Sequence, residues 1–164
     1  MRQALCREVA CQVGLCLVRV ADQQIRPRGA VQEMAKTVDR AGALVLRHVE
    51  AENDRDLEAI MATFARPRYE IVPTATVYDG DAAVRQMIVA QWEQLPQMYY
   101  AAEAVFHSAD GLVVETRTTC PGTAIDMLSI NLFGFDGDRL ILERCYFDRM
   151  LFAAELEKAS RLHD

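Results

Sequence analysis

Hydrophobic and polar positions follow two different periods along this chain, and the change falls near Pro96. Between residues 39 and 95, apolar side chains recur at helical spacings, which is the pattern of helices with one buried stripe. Beyond Pro96, apolar and polar residues tend to alternate, which is typical of strands that bury one face. The pattern therefore predicts helices first and a sheet afterwards.

Three helices are predicted before Pro96. Asp39 is suited to cap the first, because its carboxylate can accept a hydrogen bond from a backbone amide of the first turn. Pro67 and Pro96 end the second and the third, because proline cannot continue a helix. Between these two helices, Tyr69–Val72 is predicted as a short strand and Thr74–Gly80 as a loop. The three helices are predicted at residues 39–52, 56–66 and 81–95.

A four-stranded antiparallel meander is predicted after Pro96, with a helix at Leu151–Leu162 behind it. Its turns contain Asp110-Gly111, Pro121-Gly122 and Asp136-Gly137. Because strands twist, a long meander curls, and helices on its hollow side leave a cavity of the kind that binds small molecules. The predicted fold class is α+β, a curved antiparallel sheet wrapped around helices. The strands are predicted at Tyr99–Ser108, Leu112–Pro121, Asp126–Phe135 and Arg139–Asp148.

The first 37 residues differ from the rest of the chain. They show no clean hydrophobic period and contain Arg26-Pro27-Arg28-Gly29. Residues 1–38 carry a net charge of +3, whereas residues 39–164 carry −9. We therefore predict a poorly ordered extension at residues 1–37 and one domain at residues 38–164. Met34 is a candidate for the true translational start, because a coherent pattern begins just after it.

Composition excludes several classes of protein. The formal net charge of −6 argues against a nucleic-acid binder, and no apolar run reaches the roughly 18 residues of a membrane span. The five cysteines form neither a zinc spacing nor a closed disulfide framework, which predicts reduced thiols in a cytoplasmic protein. No phosphate-binding loop, serine-nucleophile motif or histidine pair with ligand spacing is present, so no cofactor and no metal are predicted.

The last predicted strand carries the strongest candidates for chemistry. Arg144, Tyr146 and Asp148 alternate and therefore share one face. If that face lines the cavity, burial favours the neutral form of Asp148 while Arg144 favours its carboxylate, a balance that suits a general acid or base. Alternatively, Asp148 caps the helix that begins directly after it.

Two further sets of polar residues are candidates. Glu115 and Arg117 lie two apart on one strand and therefore share a face, which allows cross-strand ion pairs on a solvated surface. His48 lies on an apolar helix stripe, either as a catalytic group or as a hydrogen-bonded histidine in the core.

Aromatic and polar residues that share one face of a predicted strand or helix are predicted to form the cavity wall. Ser129 and Asn131 alternate with apolar neighbours and would orient a ligand if their face points inward. The aromatic residues are candidates either for the core or for the wall. The predicted substrate-binding residues are Trp92, Tyr78, Met127, Ser129, Asn131 and Phe133.

The order of elements and three local sequences resemble the SnoaL-like branch of the nuclear transport factor 2-like superfamily. The resemblance covers roughly residues 38–157 and rests on the order of its pieces. Those pieces are the helix pair His48–Phe64 around Asn53-Asp54-Arg55-Asp56, the turn Tyr78-Asp79-Gly80, and residues 133–148, FGFDGDRLILERCYFD.

This resemblance implies a cone-shaped, cystatin-like α+β barrel and a homodimer through the outer face of the sheet. In SnoaL-like cyclases an aspartate in this region is the acid/base, and Asp148 is the matching position. Epoxide hydrolases of the superfamily carry an arginine and a carboxylate two apart on one strand and an aspartate on a later one. Glu115, Arg117 and Asp148 resemble that set, in the order Glu-x-Arg.

Two functions remain open at this point. The first is cofactor-free acid–base catalysis, as cyclisation, isomerisation or hydrolysis, on a small apolar carbonyl or cyclic compound. The second is a non-catalytic domain for ligand binding or dimerisation, because this type of shell also occurs without catalysis. Both predict a small apolar molecule and a second copy of the chain as partners, and neither involves a nucleic acid or a membrane.

Overall fold

A computed structural model describes residues 17–19 and 39–161. The described residues form four α-helices, seven strands and a one-turn 3-10 helix at Val72–Thr74. The helices are α1 Arg40–Asp54, α2 Leu57–Thr63, α3 Asp81–Gln94 and α4 Arg149–Arg161. The strands are β1 Leu17–Arg19, β2 Arg68–Ile71, β3 Thr76–Asp79, β4 Tyr99–Ser108, β5 Gly111–Thr119, β6 Asp126–Asp136 and β7 Arg139–Tyr146.

One mixed sheet joins the described strands in the order β1-β4-β5-β6-β7-β2-β3. The predicted meander β4–β7 is antiparallel throughout, and β2 joins it in parallel beside β7. Register shifts at Ala102/Ala104 and at Gly134/Phe135 place bulges in β4 and in the β6–β7 ladder. Bulges bend strands and increase their twist, which curves the sheet. The predicted α+β class is confirmed.

The helices that precede the sheet begin and end where local chemistry dictates. The Asp39 carboxylate caps α1 by accepting a hydrogen bond from the Gly42 amide at 2.9 Å. At its other end, Arg55 adopts a left-handed conformation with φ of 60°. The buried stripe of α1 packs on side chains from the inner face of the sheet, which we define as the face toward the helices. None of the described helices is both long and apolar enough to cross a bilayer.

Asn53 fastens the end of α1 to the start of β4. Its amide nitrogen donates to the Tyr100 carbonyl at 2.8 Å, and its amide oxygen accepts from the Tyr100 amide at 2.8 Å. The side chain therefore pairs with β4 as a neighbouring strand would. Arg55 adds two donated bonds, to the carbonyls of Pro96 at 3.0 Å and Met98 at 2.7 Å.

The predicted loop Thr74–Gly80 is corrected by the structure. Thr76–Asp79 forms β3, which pairs antiparallel with β2 in a tight hairpin. The turn passes through the 3-10 helix and through Ala75, whose φ is 54°. The threonine, valine and tyrosine of β3 favour a strand. The strand is only four residues long and lies between Pro73 and Asp79-Gly80, which are typical of turns, so the sequence indicated a loop.

Part of the predicted N-terminal extension can be described. Leu17–Arg19 forms β1 and lies antiparallel on β4, with Leu17 opposite Phe106 and Arg19 opposite Ala104. The rest of residues 1–37, including Met34, lies outside the described residues. The boundary at residue 38 stays a prediction.

We predict that Asn53→Asp destabilises the fold by about 1–3 kcal/mol. The carboxylate keeps the acceptor for the Tyr100 amide but loses the donor, and it places a negative oxygen against the Tyr100 carbonyl. Urea denaturation at pH 7 measures the loss. Gln97→Glu makes the same chemical change at an exposed loop position and serves as the control. Equal losses in the two variants would contradict the role of Asn53.

Candidate active site

A cavity of about 410 Å³ lies between the inner face of the sheet and the helices. Apolar side chains form most of its wall, and they come from α1, α3, α4, the inner face of the sheet and the segments that join these elements. They include Val49, Ile71, Met87, Ile88, Trp92, Leu95, Met98, Met127, Phe147, Phe152 and Leu156. A space of this size and polarity suits a small organic molecule.

Four polar side chains meet at one end of the cavity, and we refer to them as the buried cluster: His48, Glu52, Tyr69 and Glu143. His48 is fully buried, and its Nε2 lies 2.9 Å from the Tyr69 hydroxyl and 3.1 Å from Glu143 Oε2. The Tyr69 hydroxyl donates to Glu52 Oε1 at 3.1 Å. All except His48 line the cavity, so this end of an otherwise apolar space presents carboxylates and a phenol.

The proton on His48 Nδ1 can be assigned from Thr63. The Thr63 hydroxyl donates to the Ile60 carbonyl at 2.6 Å, so its oxygen is left to accept from Nδ1 at 2.8 Å. Nδ1 therefore carries a hydrogen, and Nε2 is the nitrogen that exchanges protons with the cluster. The rings of Phe64 and Phe133 pack edge-on at 5.3 Å and 6.0 Å and hold the imidazole in place.

His48 is an imidazolium at neutral pH. Burial by itself lowers the pKa of His48, but hydrogen bonds to Glu143 and Glu52, together with their negative charges, raise that pKa from 6.5 to about 10. Nε2 consequently carries a second proton, which it shares between Glu143 and Tyr69. A charged histidine in the core persists because two carboxylates surround it.

The carboxylate of Glu143 has an increased affinity for protons. Burial and the negative charge of Glu52 raise the pKa of Glu143, and the bond from His48 opposes that rise only in part. Burial and the same two carboxylates raise the pKa of Tyr69 and of the Cys145 thiol well above their ordinary values. Tyr69 therefore remains a hydrogen-bond donor, and Cys145 remains a neutral thiol rather than a nucleophile.

The donor atoms of His48, Glu52 and Glu143 lie within 4.8 Å of one another, close enough to share a single metal ion. In the described geometry the Nε2 proton already occupies the space between them, so an ion would have to displace it. The prediction of no metal site rested on histidine spacing, and it stays a prediction.

A second polar group lies along the cavity wall on β5 and β6. Ser129 donates to the Thr116 carbonyl at 3.2 Å, and Asn131 Nδ2 donates to the Thr116 hydroxyl at 3.2 Å. Thr118 lies 3.2 Å from Ser129. These side chains line the cavity. Of the other predicted substrate-binding residues, Trp92, Tyr78 and Met127 also line it. Phe133 does not, because it is fully buried against His48.

The face of β7 that was expected to line the cavity points outward, which corrects the placement of Arg144, Tyr146 and Asp148. Arg144 pairs with Glu70 at 2.7 Å, and Tyr146 is 37% exposed. Asp148 accepts hydrogen bonds from the amides of Met150 and Leu151 at 2.9 and 3.0 Å, so it caps α4. Strand alternation instead turns Glu143, Cys145 and Phe147 inward.

The placement of Glu115 and Arg117 is corrected in the same way. Both lie on the outer face of β5, because Thr116 and Thr118 take the inner positions. Arg117 forms a two-bonded ion pair with Asp126 at 2.7 and 2.8 Å. Arg117 therefore forms an ion pair on a solvated face, as in the non-catalytic interpretation of its sequence position, and its partner is Asp126.

Glu52, Tyr69 and Glu143 were not predicted as site residues, although the sequence contains a signal for two of them. Glu52 follows His48 by four positions on a buried helix stripe, so the two side chains must be neighbours. Glu143 alternates with Cys145 and Phe147 and is a lone charge on an apolar face. A lone charge on an apolar face indicates a buried ion with a partner elsewhere in the chain.

The fold and site together define a cone-shaped α+β protein with a cavity and an ionised cluster at one end. A family model for the SnoaL-like domain matches residues 45–143. The chain belongs to this family, within the nuclear transport factor 2-like superfamily, and the resemblance seen in its sequence is confirmed. Comparison with curated protein sequences finds no significant match.

Solved structures share the fold at low sequence identity. A protein of Shewanella putrefaciens described as a SnoaL-like polyketide cyclase has a TM-score of 0.69 at 10% identity, covering 85% of this chain and 99% of its own. TerC, crystallised with polyporic acid, has a TM-score of 0.66 at 16% identity over 73% and 99%. Bal32a, from a soil-derived mobile gene cassette, has 0.61 at 19% over 71% and 94%.

We predict that the free energy of unfolding falls as the pH rises from 6.5 to about 10, because of His48. The folded chain holds this proton more tightly than the unfolded chain, so its contribution is complete below pH 6.5 and is lost as pH rises through the folded pKa. The slope for one proton is at most about 1.4 kcal/mol per pH unit. Urea denaturation at several pH values measures it.

His48→Gln should flatten this slope, and His107→Gln, which leaves the buried cluster intact, should retain it. Glu143→Gln removes one counterion and should move the fall in stability to lower pH. An unchanged profile in both cluster variants would contradict the assignment of His48 as a buried cation.

Proposed function

We propose that this protein catalyses proton transfer on a small, largely apolar carbonyl or cyclic compound, as an isomerisation, cyclisation or hydrolysis without a cofactor. One observation carries the proposal: the carboxylates of Glu52 and Glu143, beside the buried imidazolium, face a largely apolar cavity together with the phenols of Tyr69 and Tyr100. Burying such charges is unfavourable unless they are paired, and apolar surroundings strengthen their effect on a bound molecule.

Glu52 is the carboxylate best placed to remove a proton from the ligand. Its Oε1 accepts from Tyr69, and its Oε2 accepts no hydrogen bond from the described residues, while the side chain remains 16% exposed toward the cavity. Both oxygens of Glu143 are already engaged, one by His48 and one by the Cys145 thiol at 3.7 Å. Glu143 and His48 therefore position Glu52 and hold the charge of the cluster, while Glu52 contacts the ligand.

Tyr100 is suited to polarise an oxygen of the ligand. Its hydroxyl accepts a hydrogen bond from the Gln91 amide, so its own hydrogen is free to donate into the cavity. Burial and the negative charge of Glu52 raise the pKa of Tyr100 well above its ordinary value, so it stays protonated. A base and a neutral donor on one cavity are the two groups that removal of a proton beside a carbonyl requires.

A non-catalytic binding domain is the second candidate. The side chains of the buried cluster bond to one another, and the Nε2 proton of His48 is already shared by Tyr69 and Glu143. A cluster whose protons are engaged in this way favours a structural role over proton transfer to a ligand. The two candidates share the same cavity and the same class of ligand, and they differ only in whether turnover occurs.

We predict that Glu52→Gln lowers turnover about 100-fold or more while changing ligand affinity little, because the amide keeps the shape but cannot accept the proton. A thermal-shift screen with polyketides, terpenoid epoxides, ketosteroids and fatty acids first identifies a ligand, since one at 100 times its dissociation constant stabilises by about 2.7 kcal/mol. Product formation is then measured by chromatography.

Two further variants make this test decisive. Glu93→Gln, an exposed change on α3, should keep full turnover. Asp148→Asn should keep turnover as well, because Asp148 caps α4 outside the cavity. Loss of turnover in Asp148→Asn alone would support the assignment implied by the family resemblance and reject Glu52 as the base.

We also propose that a second copy of the chain binds the outer face of the sheet. Leu128 is 55% exposed there, with Ile130 at 36% and Tyr146 at 37%. In the sheet register, Ile130 lies opposite Tyr146. Neighbouring exposed apolar side chains of this kind favour an interface. Sedimentation equilibrium should give a dimer, and Leu128→Glu should shift it to monomer, whereas Val89→Glu, at an exposed position of α3 rather than on the sheet, should not.

A further inference from the structure

The two ends of the cavity carry opposite charge. The buried cluster, with two carboxylates and one imidazolium, has a net charge of −1 when both carboxylates are ionised. Arg149 is the one cation that lines the cavity among the described residues, and its side chain is exposed. A ligand that enters this space therefore meets a positive group outside and a negative group inside.

Glu143 and Arg149 are separated along the chain by the end of β7 and the two residues that follow it. Glu143 and Cys145 on β7 and Phe147 just beyond it point inward in turn, and extended chain rises about 3.3 Å per residue, so Glu143 and Phe147 lie roughly 13 Å apart. Arg149 begins α4 two residues later, beside the Phe147–Phe152 ring pair at 5.1 Å. The inward-facing residue between Glu143 and Phe147 is Cys145, and Asn131 of β6 lies opposite Cys145 on the cavity wall.

The guanidinium of Arg149 is available to bind an anion. It forms no hydrogen bond or ion pair with any other side chain in the described part of the chain, unlike Arg68, Arg85, Arg117 and Arg144. The adjacent carboxylate of Asp148 is engaged by the amides of Met150 and Leu151. An arginine fork can donate to two oxygens of a carboxylate or of a sulfonate at once.

We propose that the natural ligand is an amphipathic anion, with a carboxylate or sulfonate held by Arg149 at the mouth and an apolar ring system inside the cavity. This inference rests on the proposed function and adds the class of substrate and its orientation. The negative charge of the buried cluster repels the anionic group, so the ligand enters with its uncharged, reactive end toward Glu52. The chain's net charge of −6 opposes binding only at long range, where salt screens it.

Two dyes with the same ring system test the proposal. 1-Anilinonaphthalene-8-sulfonate is an anion, and N-phenyl-1-naphthylamine lacks the sulfonate. Fluorescence titration of the full chain gives a dissociation constant for each dye, and mutual displacement shows whether both occupy one site. Arg149→Gln should weaken the sulfonate dye by about 3- to 10-fold, as expected for one partly solvated ion pair, and should leave the neutral dye within about twofold.

Matched variants separate the charge from other effects. Arg149→Lys keeps the charge but loses the fork, so it should weaken the sulfonate dye less than Arg149→Gln does. Arg66→Gln, an exposed change outside the cavity lining, should alter neither dye. The effect of Arg149→Gln should shrink in 0.5 M salt, because added ions screen the pair.

The outcomes distinguish this inference from the proposed function. If both dyes bind in competition but Arg149→Gln affects them equally or not at all, the anionic ligand is rejected and the cavity site stands. If the sulfonate dye binds without displacing the neutral one, it lies elsewhere and the inference is rejected. If neither dye binds, both the small-molecule cavity and this inference are rejected.

Discussion

A buried imidazolium between two carboxylates is the constraint on which the rest of this structure depends. His48 lies on α1, Glu143 on β7 and Tyr69 on β2, so three elements must meet for the imidazolium to gain its counterion and its hydrogen-bond partners. Leaving one buried ion without its partner typically destabilises a protein by about 3–5 kcal/mol. The position of α1 on the sheet and the pairing of β2 with β7 therefore follow from polar contacts as much as from apolar packing.

The same constraint decides the chemistry of the cavity. Because Glu143 must reach His48, every second residue of β7 turns inward with it, and Cys145 and Phe147 become wall residues. Arg144 is directed to the outer face, where it pairs with Glu70. Arg144 therefore does not neutralise the carboxylates at the end of the cavity, although it lies next to Glu143 on β7.

Local pattern predicted which residues share a face, and tertiary contacts decided which face is buried. The two faces of β7 each carry a charge, Glu143 on one and Arg144 on the other, so alternation alone does not choose between them. The choice is made by His48, which lies 95 residues away in sequence. The parallel pairing of β2 with β7 likewise depends on residues far apart in sequence, so local pattern did not predict it. The helix stripes, the meander and the possible capping role of Asp148 depend on neighbouring residues, and the sequence predicted them.

The parallel pairing of β2 with β7 also bears on the order in which the chain can fold. Tyr69 lies opposite Glu143, so β2 has only its hairpin partner β3 until nearly the whole domain has left the ribosome. Contacts between residues so far apart in sequence form slowly, because a long loop must close before they stabilise anything. During synthesis, α1 therefore exposes His48 before Glu143, one of its two counterions, has been made, and the N-terminal half depends on the last strand to become stable.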